Sequence, residues 1–120
     1  MKIGVIGIGH LGQHHARIFS ELDDSELIGV YDIDFQRAET IAQQNHCKKF
    51  QSVKDLLKKV DAVSIATPTT THFNYCKESL NAGKHIFVEK PICSNLEDAK
   101  ELVSIAKNNN LKIQLSLIHI

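Results

Sequence analysis

Three glycines, two aspartates and a Glu-Lys-Pro tripeptide are the residues of this chain whose type and spacing suit chemistry. The stretch Gly7-Ile8-Gly9-His10-Leu11-Gly12 follows a Gly-x-Gly-x-x-Gly pattern. Such a loop cradles a pyrophosphate. Gly7 permits the tight turn, Gly9 lets the backbone approach the phosphates, and Gly12 lets the next helix pack closely on the preceding strand. The helix start then offers free N–H groups and a partial positive charge, which brings His10 and Leu11 to the cofactor as well. The pattern by itself also fits a bare strand-to-helix turn. Its context, an apolar strand before and a helix straight after, favours a dinucleotide.

Asp32 closes the second apolar run, 20 positions after Gly12. A carboxylate there accepts hydrogen bonds from the adenosine ribose and repels a 2′-phosphate, so NAD is expected ahead of NADP. Arg37, five residues on, tempers that preference because an arginine accommodates such a phosphate. Turn and cap chemistry is the plain alternative for Asp32 and Asp34. Both hold if Asp34 caps while Asp32 binds.

These residues need elements to position them, and the chain alternates strand-sized apolar runs with amphipathic segments. Strands are expected at 2–7, 26–32, near 47–50, 61–66, 84–89 and 112–118. The helix from residue 10 to 22 carries Leu11, His15, Ile18 and Leu22 at helical spacing. Asp34 is placed to cap a helix bearing Phe35, Ala38, Ile41 and Ala42, and Ser52 to cap one running to about Lys59. A helix with Phe73, Cys76 and Leu80 stops at Gly83. Ser94 with Glu97 reads as a capping box for a helix lined by Leu96, Ala99, Val103 and Ala106, ended by Asn108-Asn109-Asn110. Strand and helix taking turns imply right-handed crossovers. The fold class is therefore α/β: a Rossmann-type doubly wound parallel sheet of about six strands, with one layer of helices on each face. In such a sheet the polar groups that follow the strands share one edge: the glycine loop, Asp32, Thr67-Pro68 and Glu89-Lys90-Pro91. Ligands bind along that edge.

With those residues in place the chain resembles a family. Gly7-x-Gly9-x-x-Gly12-x-x-His15-Ala16, then Ala66-Thr67-Pro68 with His72, then Glu89-Lys90-Pro91, is similar to the N-terminal half of the Gfo/Idh/MocA oxidoreductases (glucose–fructose oxidoreductase, inositol dehydrogenase). The similarity covers roughly residues 1 to 114. It implies hydride transfer between a nicotinamide cofactor and a sugar, cyclitol or related alcohol or ketone. It also implies that Lys90 is the catalytic lysine beside the nicotinamide. By the same resemblance Thr67 and Pro68 line the nicotinamide side, Glu89 lies near the ribose, and His72 counts among the cofactor-binding residues. A solvated lysine at a strand end is the alternative for Lys90.

Departures from the family carry expectations of their own. Members continue past the sixth strand into a Gly-His segment with an Arg and a Pro, then into a second, mostly antiparallel domain that supplies substrate contacts. Here the chain ends at Leu117-Ile118-His119-Ile120. The expectation is one cofactor domain over residues 1–120, without the substrate domain and with negligible turnover alone. A stand-alone NAD-binding module or subunit is the other reading. The apolar last strand and the surface left bare suggest a homo-oligomer.

Composition narrows the remaining classes. Apolar residues make up 42% of 120, enough for a core and too scattered for a membrane span. Fourteen basic and fourteen acidic residues cancel and are interleaved, which argues against a nucleic-acid or membrane surface. No export signal precedes the first strand, and three widely spaced cysteines read as reduced thiols, so a cytoplasmic location is expected. Seven histidines invite a metal reading, especially His10, His14 and His15, yet nothing completes a ligand set, and none is assigned. His15 reads as a hydrogen-bonded core histidine, and Cys93 as a small buried residue.

Overall fold

The computed structural model describes residues 1–116. Six strands form one sheet in the order β3-β2-β1-β4-β5-β6. They are β1 (Lys2–Ile6), β2 (Glu26–Tyr31), β3 (Lys48–Lys49), β4 (Ala62–Ile65), β5 (His85–Glu89) and β6 (Ile113–Ser116). Every pairing is parallel. The helices between them are α1 (His10–Glu21), α2 (Phe35–Gln44), α3 (Val53–Leu57), α4 (Thr69–Asn81) and α5 (Leu96–Asn108). This is the doubly wound sheet that the alternation of runs implies. The last two residues of the strand expected at 112–118 lie outside the described residues.

Two apolar clusters cover the two faces. Val5, Val30 and Leu27 of the sheet meet Ala16 of α1 and Ala38, Ile41 and Ala42 of α2. On the other face Ile6, Val63, Ile65 and Val88 meet Leu56 of α3, Leu80 of α4 and Leu102 of α5. Val5 and Ile6, successive residues of β1, fall in opposite clusters because successive side chains point to opposite faces. No helix among the described residues is long and apolar enough to cross a membrane.

Local signals placed several boundaries. Asp34 caps α2, its Oδ1 accepting from the Arg37 amide at 3.1 Å. Ser52 caps α3 in the same way, accepting from the Asp55 amide at 3.1 Å. Gly83 follows α4 at φ +80°, a left-handed conformation that glycine adopts without strain.

Two expectations about helices are corrected. The cap of α5 is Asn95, whose Oδ1 accepts from the Asp98 amide at 2.8 Å, and not Ser94 with Glu97. Asparagine caps as well as serine and sits one residue later, in extended backbone at φ −140° and ψ 159°. The buried face of α5 is correspondingly Leu102 and Ala106, while Leu96 and Val103 are 69% and 55% exposed. In α1 the buried residues are Gly12, His15 and Ala16, whereas Ile18 and, just past the end of the helix, Leu22 stand half-exposed. Small residues face the sheet there because the helix lies close against it.

Register brings the site together. Ile6 lies level with Tyr31 on one side and Ile65 on the other, and Ile65 lies level with Val88. Gly7, Asp32, Ala66 and Glu89, each one step beyond those partners, therefore share one edge. The chain winds outward from β1 to β3 and then crosses back to β4, so β1 and β4 flank the topological switch point where such sheets bind ligands.

Candidate dinucleotide-binding site

The turn after β1 is built by glycines with different jobs. Gly7 has φ +92°, and a Cβ there would lie 2.8 Å from Thr67 Cγ2 and 2.9 Å from the Ala66 carbonyl. Its amide donates to the Tyr31 carbonyl at 2.8 Å, which ties the turn to β2. A Cβ on Gly12 would lie 1.7 Å from the Gly7 carbonyl oxygen, so only glycine lets α1 approach the turn this closely. Around Gly9 a Cβ would meet nothing within 4 Å. Backbone left bare on the open side of a loop is what an approaching phosphate requires, and the N-terminus of α1 stands directly behind it.

Asp32 lies beneath this loop and is 6% exposed. Its Oδ2 accepts from the Ile8 amide at 2.7 Å and its Oδ1 from the Asp34 amide at 2.8 Å. Arg37 Nη2 comes within 3.5 Å of Oδ1. A carboxylate offers about four lone-pair sites, so acceptor capacity remains after two amides are served.

A cleft of about 570 Å³ opens above these groups. Of the residues singled out from the sequence, Gly7, Gly9, His10, Leu11, Asp32, Arg37, Thr67 and Pro68 line it. Glu89, Lys90, His72 and Gly12 do not. Gly12 lies under the turn. Lys90 follows β5 on the same edge, is exposed, and pairs with no carboxylate among the described residues. The Lys90–Pro91 peptide is cis. His72 stands behind the cleft at 2% exposure, with Nε2 2.8 Å from the Thr67 carbonyl and Nδ1 3.0 Å from the Pro91 carbonyl. It joins the turn after β4 to the turn after β5.

Four lining residues escaped the sequence reading: Tyr31, Ile33, Thr71 and Tyr75. Ile33 is 77% exposed, an apolar side chain held at the cleft mouth between two aspartates. Thr71 and Tyr75, four residues apart, share one face of α4, and Thr67 in the turn before the helix continues that wall. Thr71 Oγ1 lies 2.6 Å from the Pro68 carbonyl and 2.7 Å from Thr67 Oγ1, which stiffens that wall. Burial raises the Tyr75 phenol above its ordinary range, with Tyr31 and Asp32 adding to the effect. It remains a neutral, hydrogen-bonding hydroxyl at physiological pH.

His15 is the buried histidine expected from the apolar stripe. Burial lowers its pKa below the ordinary value, outweighing the opposing pull of Glu89. The thiols take no part in the cleft. Burial pushes Cys76 up to about 12 and Cys47 up to about 11, and it raises Cys93 as well. The rings of His10 and His14 stand 5.1 Å apart, edge to face, and no set of three metal-ligating side chains occurs among the described residues.

Known proteins share this sequence and geometry. The family described as an oxidoreductase family with an NAD-binding Rossmann fold matches residues 1–117. The UDP-N-acetylglucosamine 3-dehydrogenase of Acidithiobacillus ferrooxidans is 42% identical over 98% of this chain, a match that spans 37% of that relative. The glucose-6-phosphate 3-dehydrogenase of Bacillus subtilis is 32% identical over 95% of this chain and 33% of its own length. A solved structure of the Acidithiobacillus enzyme superposes with a TM-score of 0.93, covering 96% of this chain and 37% of that one. The chain thus spans about a third of the length of the relatives it matches. A family match over residues 1–117, with a relative 42% identical and a solved structure superposing at a TM-score of 0.93, places the chain in the Gfo/Idh/MocA oxidoreductase family as its NAD-binding Rossmann portion.

Proposed function

We propose that the chain binds NAD along the edge following β1, β2, β4 and β5, as the cofactor-holding part of a dehydrogenase acting on a sugar, cyclitol or related polyol. One observation carries this reading most directly. The bare loop at Gly9, the N-terminus of α1 and the Asp32 carboxylate converge on one cleft. In that placement the Gly7–Gly12 turn receives the pyrophosphate, and the spare acceptor capacity of Asp32 receives the adenosine ribose hydroxyls. Ile33 and the Thr71–Tyr75 face of α4 offer the adenine an apolar slot.

Bound nicotinamide supplies the hydride acceptor or donor. The residues of the chain are assigned to holding the cofactor and to the proton on the reacting oxygen. Lys90, exposed beyond β5, is assigned to hold or move the proton on the reacting oxygen, and Glu89 to face the second ribose. The two relatives named above are both sugar 3-dehydrogenases, which supports a secondary alcohol on a sugar ring as the reacting group. Substrate contacts are assigned to the part of those relatives that this chain does not match.

Calorimetric titration with NAD+ and NADP+ tests the reading, repeated on Asp32→Asn. The expected result is binding of NAD+ ahead of NADP+, with the preference shrinking in the variant as the negative charge is lost. A folded chain that binds neither nucleotide would sink the proposal.

A further inference from the structure

Glu89 ends β5 on the ligand edge, immediately before Lys90, and its carboxylate is held in place. Oε1 lies 2.9 Å from Nε2 of His15, with the two side chains 13% and 6% exposed. The other ring nitrogen, Nδ1, lies 2.7 Å from Ser64 Oγ. Ser64 is completely buried in β4. Phe87 packs edge-on against the imidazole with centroids 5.5 Å apart, and Phe19 packs on Phe87 in turn at 6.4 Å. One ring from α1 thus connects β4 to the end of β5.

Hydrogen-bond capacities settle the direction of the chain of bonds. An ionised carboxylate only accepts, so Nε2–H donates to Glu89 and Nδ1 is left to accept the Ser64 hydroxyl proton. A neutral imidazole satisfies every partner in this arrangement, in agreement with burial holding His15 neutral. The chain of bonds ends at the buried Ser64, so it does not conduct protons to solvent. Its effect is orientation. Among the described residues Glu89 Oε2 accepts nothing from the protein, and that oxygen is left for a ligand.

Asp32 and Glu89 stand at the two ends of the edge, separated by β1 and β4. Three strand spacings amount to about 14 Å. A ligand with two sugar rings joined by a pyrophosphate, one ring on Asp32 and its phosphates on the glycine turn, carries its second ring toward Glu89.

Resting on the dinucleotide reading above, we propose that His15, fixed by Ser64, is a positioning residue that orients the Glu89 carboxylate toward the second ribose of the dinucleotide. His15 touches no ligand itself. Its contribution is felt only by ligands that reach across the switch point.

The test compares NAD+ with AMP, which fills only the Asp32 end, in the wild-type chain and in His15→Leu, His15→Gln and Ser64→Ala. Loss of a charge-assisted bond predicts about tenfold weaker NAD+ binding in His15→Leu, with AMP affinity within about twofold of wild type. Glutamine can donate to Glu89 through its own Nε2, so His15→Gln recovers most of the NAD+ affinity. Ser64→Ala frees the ring and weakens NAD+ alone, which carries the comparison if His15→Leu fails to fold. In the wild type, nitrogen NMR of the imidazole is expected to show a protonated Nε2 and a bare Nδ1. Unchanged NAD+ affinity in the variants, equal losses for NAD+ and AMP, or a protonated Nδ1 would each overturn the assignment. Failure of the wild-type chain to bind NAD+ at all overturns the dinucleotide reading and this inference with it.

Discussion

Asp32 Oδ2 accepts the amide proton of Ile8 at 2.7 Å, across 24 residues of sequence, so the carboxylate at the end of β2 also holds the glycine turn. Its second oxygen accepts the Asp34 amide at 2.8 Å, which fixes the entry to α2. One side chain therefore shapes the turn and offers the cleft its negative charge.

Asp32→Ala is expected to destabilise the fold by about 2 kcal/mol, because the Ile8 amide is left buried without an acceptor. Asp32→Asn supplies one acceptor and turns a donor toward the other amide, so it recovers only part of that loss. Urea unfolding of the three chains checks the order wild type, Asn, Ala. Equal midpoints would mean that water replaces the carboxylate at no cost.

Gly9 and Gly12 are expected to separate binding from stability. Gly9→Ala meets nothing within 4 Å, so its unfolding free energy stays within about 0.5 kcal/mol while NAD+ affinity falls about tenfold or more. Gly12→Ala drives a methyl into the Gly7 carbonyl and destabilises by about 3 kcal/mol. Thermal unfolding and NAD+ titration on both variants decide the point. A Gly9→Ala chain that binds like wild type removes the loop from the phosphate site.

Acid is expected to weaken the fold through His15. Its pKa in the folded chain lies below the unfolded value of 6.5, so the unfolded state binds the extra proton first as pH falls. This contribution to stability is fully present above pH 6.5 and is lost as pH falls through that value toward the folded pKa. The slope reaches at most about 1.4 kcal/mol per pH unit. Denaturant midpoints measured from pH 7.5 to 5 should show it, and His15→Gln should flatten the curve. An unaltered slope in that variant assigns the effect to other groups.

Cys76 is expected to resist thiol reagents in the native chain. It is fully buried and its thiol is pushed up to about 12, so little thiolate exists at pH 8. A disulfide reagent should therefore label Cys76 only at the rate of unfolding, and all three thiols at once in denaturant. Rapid native labelling of Cys76, located by mass spectrometry of its peptide, would contradict the packing around Leu80 and Cys93.

Much of this architecture was legible because local chemistry and topology agreed. Near-continuous apolar runs such as Ala62–Ile65 belong to strands covered on both faces, and Asp34, Ser52 and Gly83 stop or start helices for reasons contained in two or three residues. Helix faces were harder. In α5, Leu96 with Val103 and Leu102 with Ala106 are both helical spacings, and only the sheet decides which pair it buries. The cleft walls were hardest. Tyr31, Ile33, Thr71 and Tyr75 meet because register brings the ends of β2 and β4 level, and no motif marks such a meeting. His72 stood within a recognisable pattern, yet its position behind the cleft follows from two backbone carbonyls that sequence does not display.

That histidine sets a tolerance. Between Thr67 and Pro91 the chain runs through all of α4 and β5, and small errors of angle along such a path accumulate. The His72 ring spans the same gap directly, from one carbonyl to the other. The offset between the two turns is then gauged by the width of a rigid five-membered ring, as a spacer block gauges two parts of an instrument. Placement of Lys90 relative to the cofactor wall becomes insensitive to slack in the elements that lie between them in sequence.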